Sequence, residues 1–335
     1  MTQRRSWIQS KVPMVCTDLG DVVQMKFSRR SCVKALAAIA LPLRLPMAVA
    51  RSQPQEGQLP RFFAPTPTGV RRGKPLPVRF ATTRVLFETP RGLPNAISCT
   101  DEGYWVADQG DDDRPSVVWL LDEKGNIKKT IQTKATDTSG VAFGNGKLWV
   151  CANAEDNQGI YLTGVSGRTL EHRDIPLGAP GHGGGCHGAT WHDGHLWVTA
   201  NREQGILKIH PDRWTVDFVI PFALPQGLTR YHGCAVLDGA MYMVSGGESN
   251  TYAEGQTNLI KYDLATGTIA EVIVFKSGSC DPHGLTVRNG TLIGCDSGDH
   301  PGWDKPYDKK GWGKRSSPTA GAVFSIQLGP AIIRD

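Results

Sequence analysis

The 335-residue sequence is first informative through what it lacks. No long stretch carries a helical period, which favours many short strands over helices. No apolar run is long enough for an uncleaved membrane anchor. No Cys-x-x-Cys pair occurs, so a thiolate zinc knuckle is unsupported. Nor is the body of the chain basic, although the formal net charge is +5. Residues 1–50 hold 8 of the 37 Lys plus Arg and 2 of the 32 Asp plus Glu, leaving 29 basic against 30 acidic residues, a balance of −1. With no Lys/Arg stripe interleaved with aromatics, the footprint that phosphate binding needs is missing, and nucleic acid is excluded as a partner. What is present instead are 39 Gly, 22 Pro and 9 Trp punctuating short apolar runs, the composition of a β-rich chain.

The excess positive charge sits in a short segment. Ser28-Arg29-Arg30-Ser31-Cys32-Val33-Lys34 precedes the apolar run Ala35 to Leu43, and Ala48-Val49-Ala50 offers small residues where a signal peptidase reads. This resembles a twin-arginine signal, which implies the twin-arginine export machinery as a partner and a periplasmic or secreted protein without a stable membrane anchor. Residues 1–50 are therefore expected to be an address with a possible upstream extension, 51–80 a Pro-rich linker or arm, and 81–335 a single domain. Six cysteines lie beyond the address: Cys99, Cys151, Cys186, Cys234, Cys280 and Cys295. An oxidising compartment would permit disulfides among them, with the pairing open.

One repeat organises the domain. Aligning Asn95, Ser139, His187, His232 and His283 puts Trp105, Trp149, Trp197, Tyr242 and Ile293 ten residues further on in every copy. Between them falls a turn glycine, preceded by Asn or Asp at Asn145-Gly146, Asp193-Gly194, Asp238-Gly239 and Asn289-Gly290. Such pairs close hairpins, because their backbone must adopt positive φ. Each unit reads as four strands; in the third these are 188–192, 196–200, 205–210 and 215–221. Four antiparallel strands at this period predict an all-β propeller of four-stranded blades. The fifth unit supplies three strands, so Thr83 to Glu88 is expected to complete it, closing a ring of five blades with an N-terminal strand. Six blades result if residues 51–80 hide a degenerate one.

In a propeller the start of the innermost strand and the loop after the second strand open on one face of the central channel. That gathers the five repeat-leading residues with Asp108, Asn153, Glu155, Asn201, Glu203, Glu248 and Asp296. Three consecutive units lead with histidine, and neutral imidazoles suit a divalent cation that keeps one position open for water or substrate. The expected metal ligands are His187, His232 and His283, with Asn95 and Asp296; zinc, magnesium and calcium are not distinguished. The competing reading is that the three His-Gly pairs cap the strand by hydrogen bonds to neighbouring blades. Tyr231, His182 in the glycine-rich approach to Cys186, and Glu248 are candidates to move protons. Cys186 and Cys280 flank the ring, where a disulfide between them or a packing role is favoured over nucleophilic work. Trp105, Trp149 and Trp197 are expected in the core between blades, and the insertion from Ser297 to about Thr319 is a candidate lid.

The stretch Leu196-Trp197-Val198-Thr199-Ala200 with Ile206-Leu207-Lys208-Ile209 and Ile220-Pro221 resembles repeats of streptogramin lyases and NHL-type propellers. Pro94-Asn95 and Asp281-Pro282-His283-Gly284 look like strand starts in the gluconolactonase and senescence marker protein family. The resemblance covers roughly residues 83–330. It implies a metal-assisted small-molecule site at the channel mouth: a cation on Glu, Asn and Asp in the lactonases, for which Asn95, Asn153 and Asp296 would stand here, or a histidine base with magnesium in the lyases. The expected function is an exported metal-dependent lyase or hydrolase acting on an ester, lactone or activated C–O bond of a small molecule. The alternative is a non-catalytic propeller that binds a ligand or partner through the same face.

Overall fold

The computed structural model describes residues 76–91, 94–109, 116–153, 158–177, 185–222, 231–245, 257–276, 282–297 and 319–332. The chain divides into two compact units, Met1–Gln55 and Glu56–Asp335, and all described residues belong to the second. The export-signal region, His182, Glu248, Glu155, Cys280 and most of the insertion after Ser297 lie outside the described residues.

The described residues form strands and no helix. Three antiparallel four-stranded sheets follow one another along the chain. The first holds β2 (Pro94–Thr100), β3 (Gly103–Asp108), β4 (Val117–Leu121) and β5 (Ile127–Gln132). The second holds β6 (Thr138–Gly144), β7 (Lys147–Ala152), β8 (Gly159–Gly164) and β9 (Thr169–Arg173), and the third β10 (Cys186–His192), β11 (His195–Ala200), β12 (Gly205–His210) and β13 (Thr215–Pro221). The remaining strands are β14 (Tyr231–Leu237), β15 (Ala240–Ser245), β16 (Thr257–Asp263), β17 (Ile269–Phe275), β18 (Pro282–Arg288), β19 (Thr291–Asp296) and β20 (Ala322–Ile332). With β1 (Val78–Glu88) they make one eight-stranded sheet in the order β14-β15-β16-β17-β1-β20-β19-β18.

Within that sheet β1 runs antiparallel to β20 along its length, while Val78–Ala81 also pairs in parallel with Val272–Phe275 of β17. The strand expected at Thr83 therefore starts earlier, at Val78, because its first residues find hydrogen-bonding partners on a second edge. Asn145, Asp193, Asp238 and Asn289 have φ of 52°, 48°, 50° and 49°, each followed by a glycine with φ of 69–71°. These are the two consecutive positive φ values of the hairpin turns expected from their Asx-Gly pairs.

The innermost strands β2, β6, β10, β14 and β18 lie side by side in that order, and β18 also lies against β2. Glycines make this approach close enough. A Cβ on Gly233 would stand 2.5 Å from both His283 O and Leu285 N, and one on Gly284 would stand 2.8 Å from Ile97 N. Gly188 meets the backbone of His232 and Gly233 in the same way. The glycine that follows each histidine is thus explained by packing between strands.

Apolar side chains fill the spaces between sheets. Trp105 stacks with Phe143, Trp149 with Trp191 and Trp214, and Trp197 meets Phe218 edge-on. All three repeat tryptophans are buried core residues, as their register suggested. Trp214 has φ of 54°, uncommon for a bulky side chain. Its ring lies 6.1 Å from that of Trp149, under the Arg173 guanidinium at 4.8 Å, and its Nε1 donates to Asp174 O at 2.7 Å. The contacts between the second and third sheets hold that backbone in place.

Candidate functional site

Each repeat-leading residue sits on a break in the ladder. Pairing skips one residue of the inner strand between Pro94 and Ala96, Thr138 and Gly140, Cys186 and Gly188, and Pro282 and Gly284, and two residues against one on β15 between Tyr231 and Cys234. Asn95, Ser139, His187, His232 and His283 are therefore at five equivalent β-bulges. A bulge leaves its extra residue out of the ladder and re-aims the side chain, which is why bulges gather beside functional sites.

Two of the five side chains have an architectural task. Asn95 Nδ2 donates to Thr138 O at 2.9 Å, and Ser139 Oγ donates to Cys186 O. In both cases the acceptor is the residue just before the bulge of the next inner strand, so these two side chains cap their neighbours, a role the sequence had raised only for the His-Gly pairs.

The three histidines form a row instead. His187 and His232 have ring centroids 5.2 Å apart at 76°, and His232 and His283 are 4.1 Å apart at 49°. All are buried, with His232 only 2% exposed. Ser297 Oγ lies 2.9 Å from His283 Nδ1, fixing the orientation of that ring. Either atom donates according to the tautomer, and Nε2 then takes the complementary state.

Carboxylates and amides stand around this row. Asp108 and Asp296 are fully buried at equivalent strand ends, facing Pro94 and Pro282. Asp296 Oδ2 accepts from Thr319 Oγ1 at 2.8 Å, and Asp108 lies 3.9 Å from the Arg91 guanidinium. Asn201 Nδ2 donates to Tyr231 O at 2.9 Å, bracing β14 just before its bulge. Among the described residues no group of three His, Cys, Asp or Glu side chains is arranged to hold one metal ion. No chemical step below runs through a metal.

Tyr231 occupies a different environment from the one its sequence position suggests. It is fully buried, its hydroxyl lies 2.9 Å from that of Tyr262, and Phe222 meets its ring edge-on. Burial, and then Tyr262, push its pKa far above the ordinary tyrosine value. Such a phenol keeps its proton and serves the core.

Cys186 is joined by a disulfide to Cys151, with 5.6 Å between their Cα atoms, and not to Cys280. The bridge ties β7 to β10 immediately before His187. The repeat register pointed to the bulged residues, but Cys151 and Ser297 carried no comparable signal. Their roles depend on contacts between strands that spacing along the chain does not encode.

No protein-family model matches the chain, and no curated protein matches it. Among solved structures it is similar to a glutaminyl cyclase from Myxococcus xanthus, with a TM-score of 0.53 at 11% identity over 78% of this chain and 100% of that one. The WD40 β-propeller domain of Doa1 has a TM-score of 0.40 at 12% identity over 70% of this chain and 62% of that one. At such identities only the fold is addressed. The succession of four-stranded antiparallel sheets around adjoining inner strands, with the likeness to the glutaminyl cyclase structure, gives the chain an all-β, β-propeller-type fold.

Proposed function

We propose that this is an exported lyase or hydrolase that acts on an ester, lactone or activated C–O bond of a small molecule at the face where the five bulges gather. The observation that carries this reading is the contiguous row His187–His232–His283, buried and oriented at one end by Ser297. Adjacent imidazoles can divide acid and base work: one accepts a proton from the substrate carbon or from an attacking water, and a neighbour returns a proton to the departing oxygen. We infer five blades, with β1 supplying the outer strand beside β20, from the order of the inner strands and the β1–β20 pairing. The Cys151–Cys186 bridge supports export to an oxidising compartment through the segment 1–50. A divalent ion remains part of the proposal as a component to be measured.

The test is turnover of a panel of lactones and eliminable uronate-type esters by the mature protein, with and without chelator. His232→Ala is expected to lower kcat by about 10²–10⁴-fold, the usual worth of general acid–base catalysis. Equal turnover by wild type and variant would end the reading. The hydrogen bonds of Asn95 and Ser139 favour a second one, a non-catalytic propeller binding a ligand at the same face. Saturable ligand binding without turnover would select it.

A further inference from the structure

Beside the histidine row, at the seam of the first and second sheets, lies a group of oxygen atoms of one chemical kind. Asn95 is 4% exposed and Thr138 is fully buried. Asn95 Oδ1, Thr138 Oγ1 and Gln109 Oε1 have no hydrogen-bond partner among the described residues. The Asn95 amide is oriented by its other end, since Nδ2 donates to Thr138 O at 2.9 Å and a carbonyl can only accept. Its Oδ1 is therefore the atom left over. One chain of hydrogen bonds connects the three residues: Thr138 N donates to Ser116 Oγ at 3.4 Å, Ser116 Oγ to Gln109 O, and Gln109 Nε2 to Asp137 Oδ1. Two carboxylates border the group. Asp108 is fully buried at the end of β3, next to Gln109, and Asp137 also accepts from Asn153 Nδ2 at 3.3 Å.

A buried acceptor without a donor costs about 1–3 kcal/mol, so several together call for an explanation. The set contains amide, hydroxyl and carboxylate oxygens. It has no sulfur or imidazole, which are the donors zinc prefers. Calcium takes six to eight oxygens of these types in an adaptable geometry, whereas magnesium demands a near-ideal octahedron and retains water. We propose that Asn95, Thr138 and Gln109, with the Asp108 carboxylate, form a binding site for calcium that clamps the first inner strand to the second. This site stands apart from the imidazole chemistry proposed above and does not depend on it.

The experiment uses the chelator-treated mature protein, melted in rising calcium chloride, with magnesium chloride, zinc chloride and sodium chloride of matched ionic strength alongside. The melting temperature is expected to rise with calcium and to go on rising with the logarithm of its concentration above Kd, as for a ligand that binds the folded state only. Asn95→Leu and Thr138→Val are expected to abolish that rise. Should either fail to fold, the half-buried Gln109→Leu provides the milder variant, with calcium affinity lowered about ten-fold or more by calorimetry. No calcium response in the wild type, or a response that survives all three substitutions, overturns the site and leaves ordered water as the partner of these oxygens. Stabilisation by zinc alone, removed by His232→Ala, also overturns it while leaving the imidazole reading intact.

Discussion

Gly233 shows how little space separates neighbouring inner strands. Its absent side chain is what lets β14 lie against His283 and Leu285, so Gly233→Ala must push two backbones apart. Destabilisation of about 1–3 kcal/mol is expected, in the range of overpacked cores, and denaturant melts would measure it. Cys234, one residue on, is fully buried, and desolvation pushes its thiol from 9.0 up to about 12. Because the unfolded thiol ionises first, its contribution is fully present below about pH 9 and is lost as pH rises towards about 12. Melting temperature should therefore fall through this alkaline window, less steeply in Cys234→Ala. At this scale the sequence marked the histidines correctly as equivalent. It could not mark the bulges that turn them, because a bulge is defined by the partner strand. Tyr231 illustrates the same limit: its neighbour His232 belongs to the row, while its own phenol is committed to Tyr262.

Single elements were the most legible part of the chain. The third unit was expected at 188–192, 196–200, 205–210 and 215–221, and its strands run over Cys186–His192, His195–Ala200, Gly205–His210 and Thr215–Pro221. Local chemistry accounts for this agreement, since apolar alternation and an Asx-Gly turn both act within a few residues. Strand-to-strand ties are another matter. Nothing within β10 announces that Cys186 reaches back to β7, because the partner is selected by how two sheets meet. Replacing Cys151 and Cys186 together by serine is expected to cost about 2–4 kcal/mol of stability. Chemical denaturation with and without reductant gives the measurement: reductant should weaken the wild type and leave the double variant unchanged. If the bridge also holds the His187 bulge, turnover should fall at temperatures where the double variant is still folded.

For the molecule as a whole, the decisive contact is the double pairing of β1 with β17 and β20. Its outward residues are half-buried or exposed, yet its backbone satisfies an edge on each side. A chain lacking residues up to Glu88 would leave both edges open, and it is expected to self-associate on size exclusion instead of running as a compact monomer. Adding a synthetic peptide spanning 76–90 should restore the compact species by strand addition. If the shortened chain is as compact and as stable as the full one, β1 is an ornament of the fold and not its closure. The side-by-side order of the inner strands was readable from the repeat, and the pairing of β1 with β20 from its incomplete fifth copy. The reach of β1 back to Val78 was hidden, because the Pro-rich composition upstream masks pairing that depends on an edge nearly two hundred residues away.

That pairing also sets a timetable. During synthesis β1 leaves the ribosome before every other described strand, and β20 leaves after all of them. The strand must then stay without these partners until β17 and β20 have been made, a delay that brings slow folding and exposed edges to non-local sheets. An edge waiting that long is vulnerable to the wrong partner. Anything that covered this edge over the interval would act on β1 before there is any site to protect.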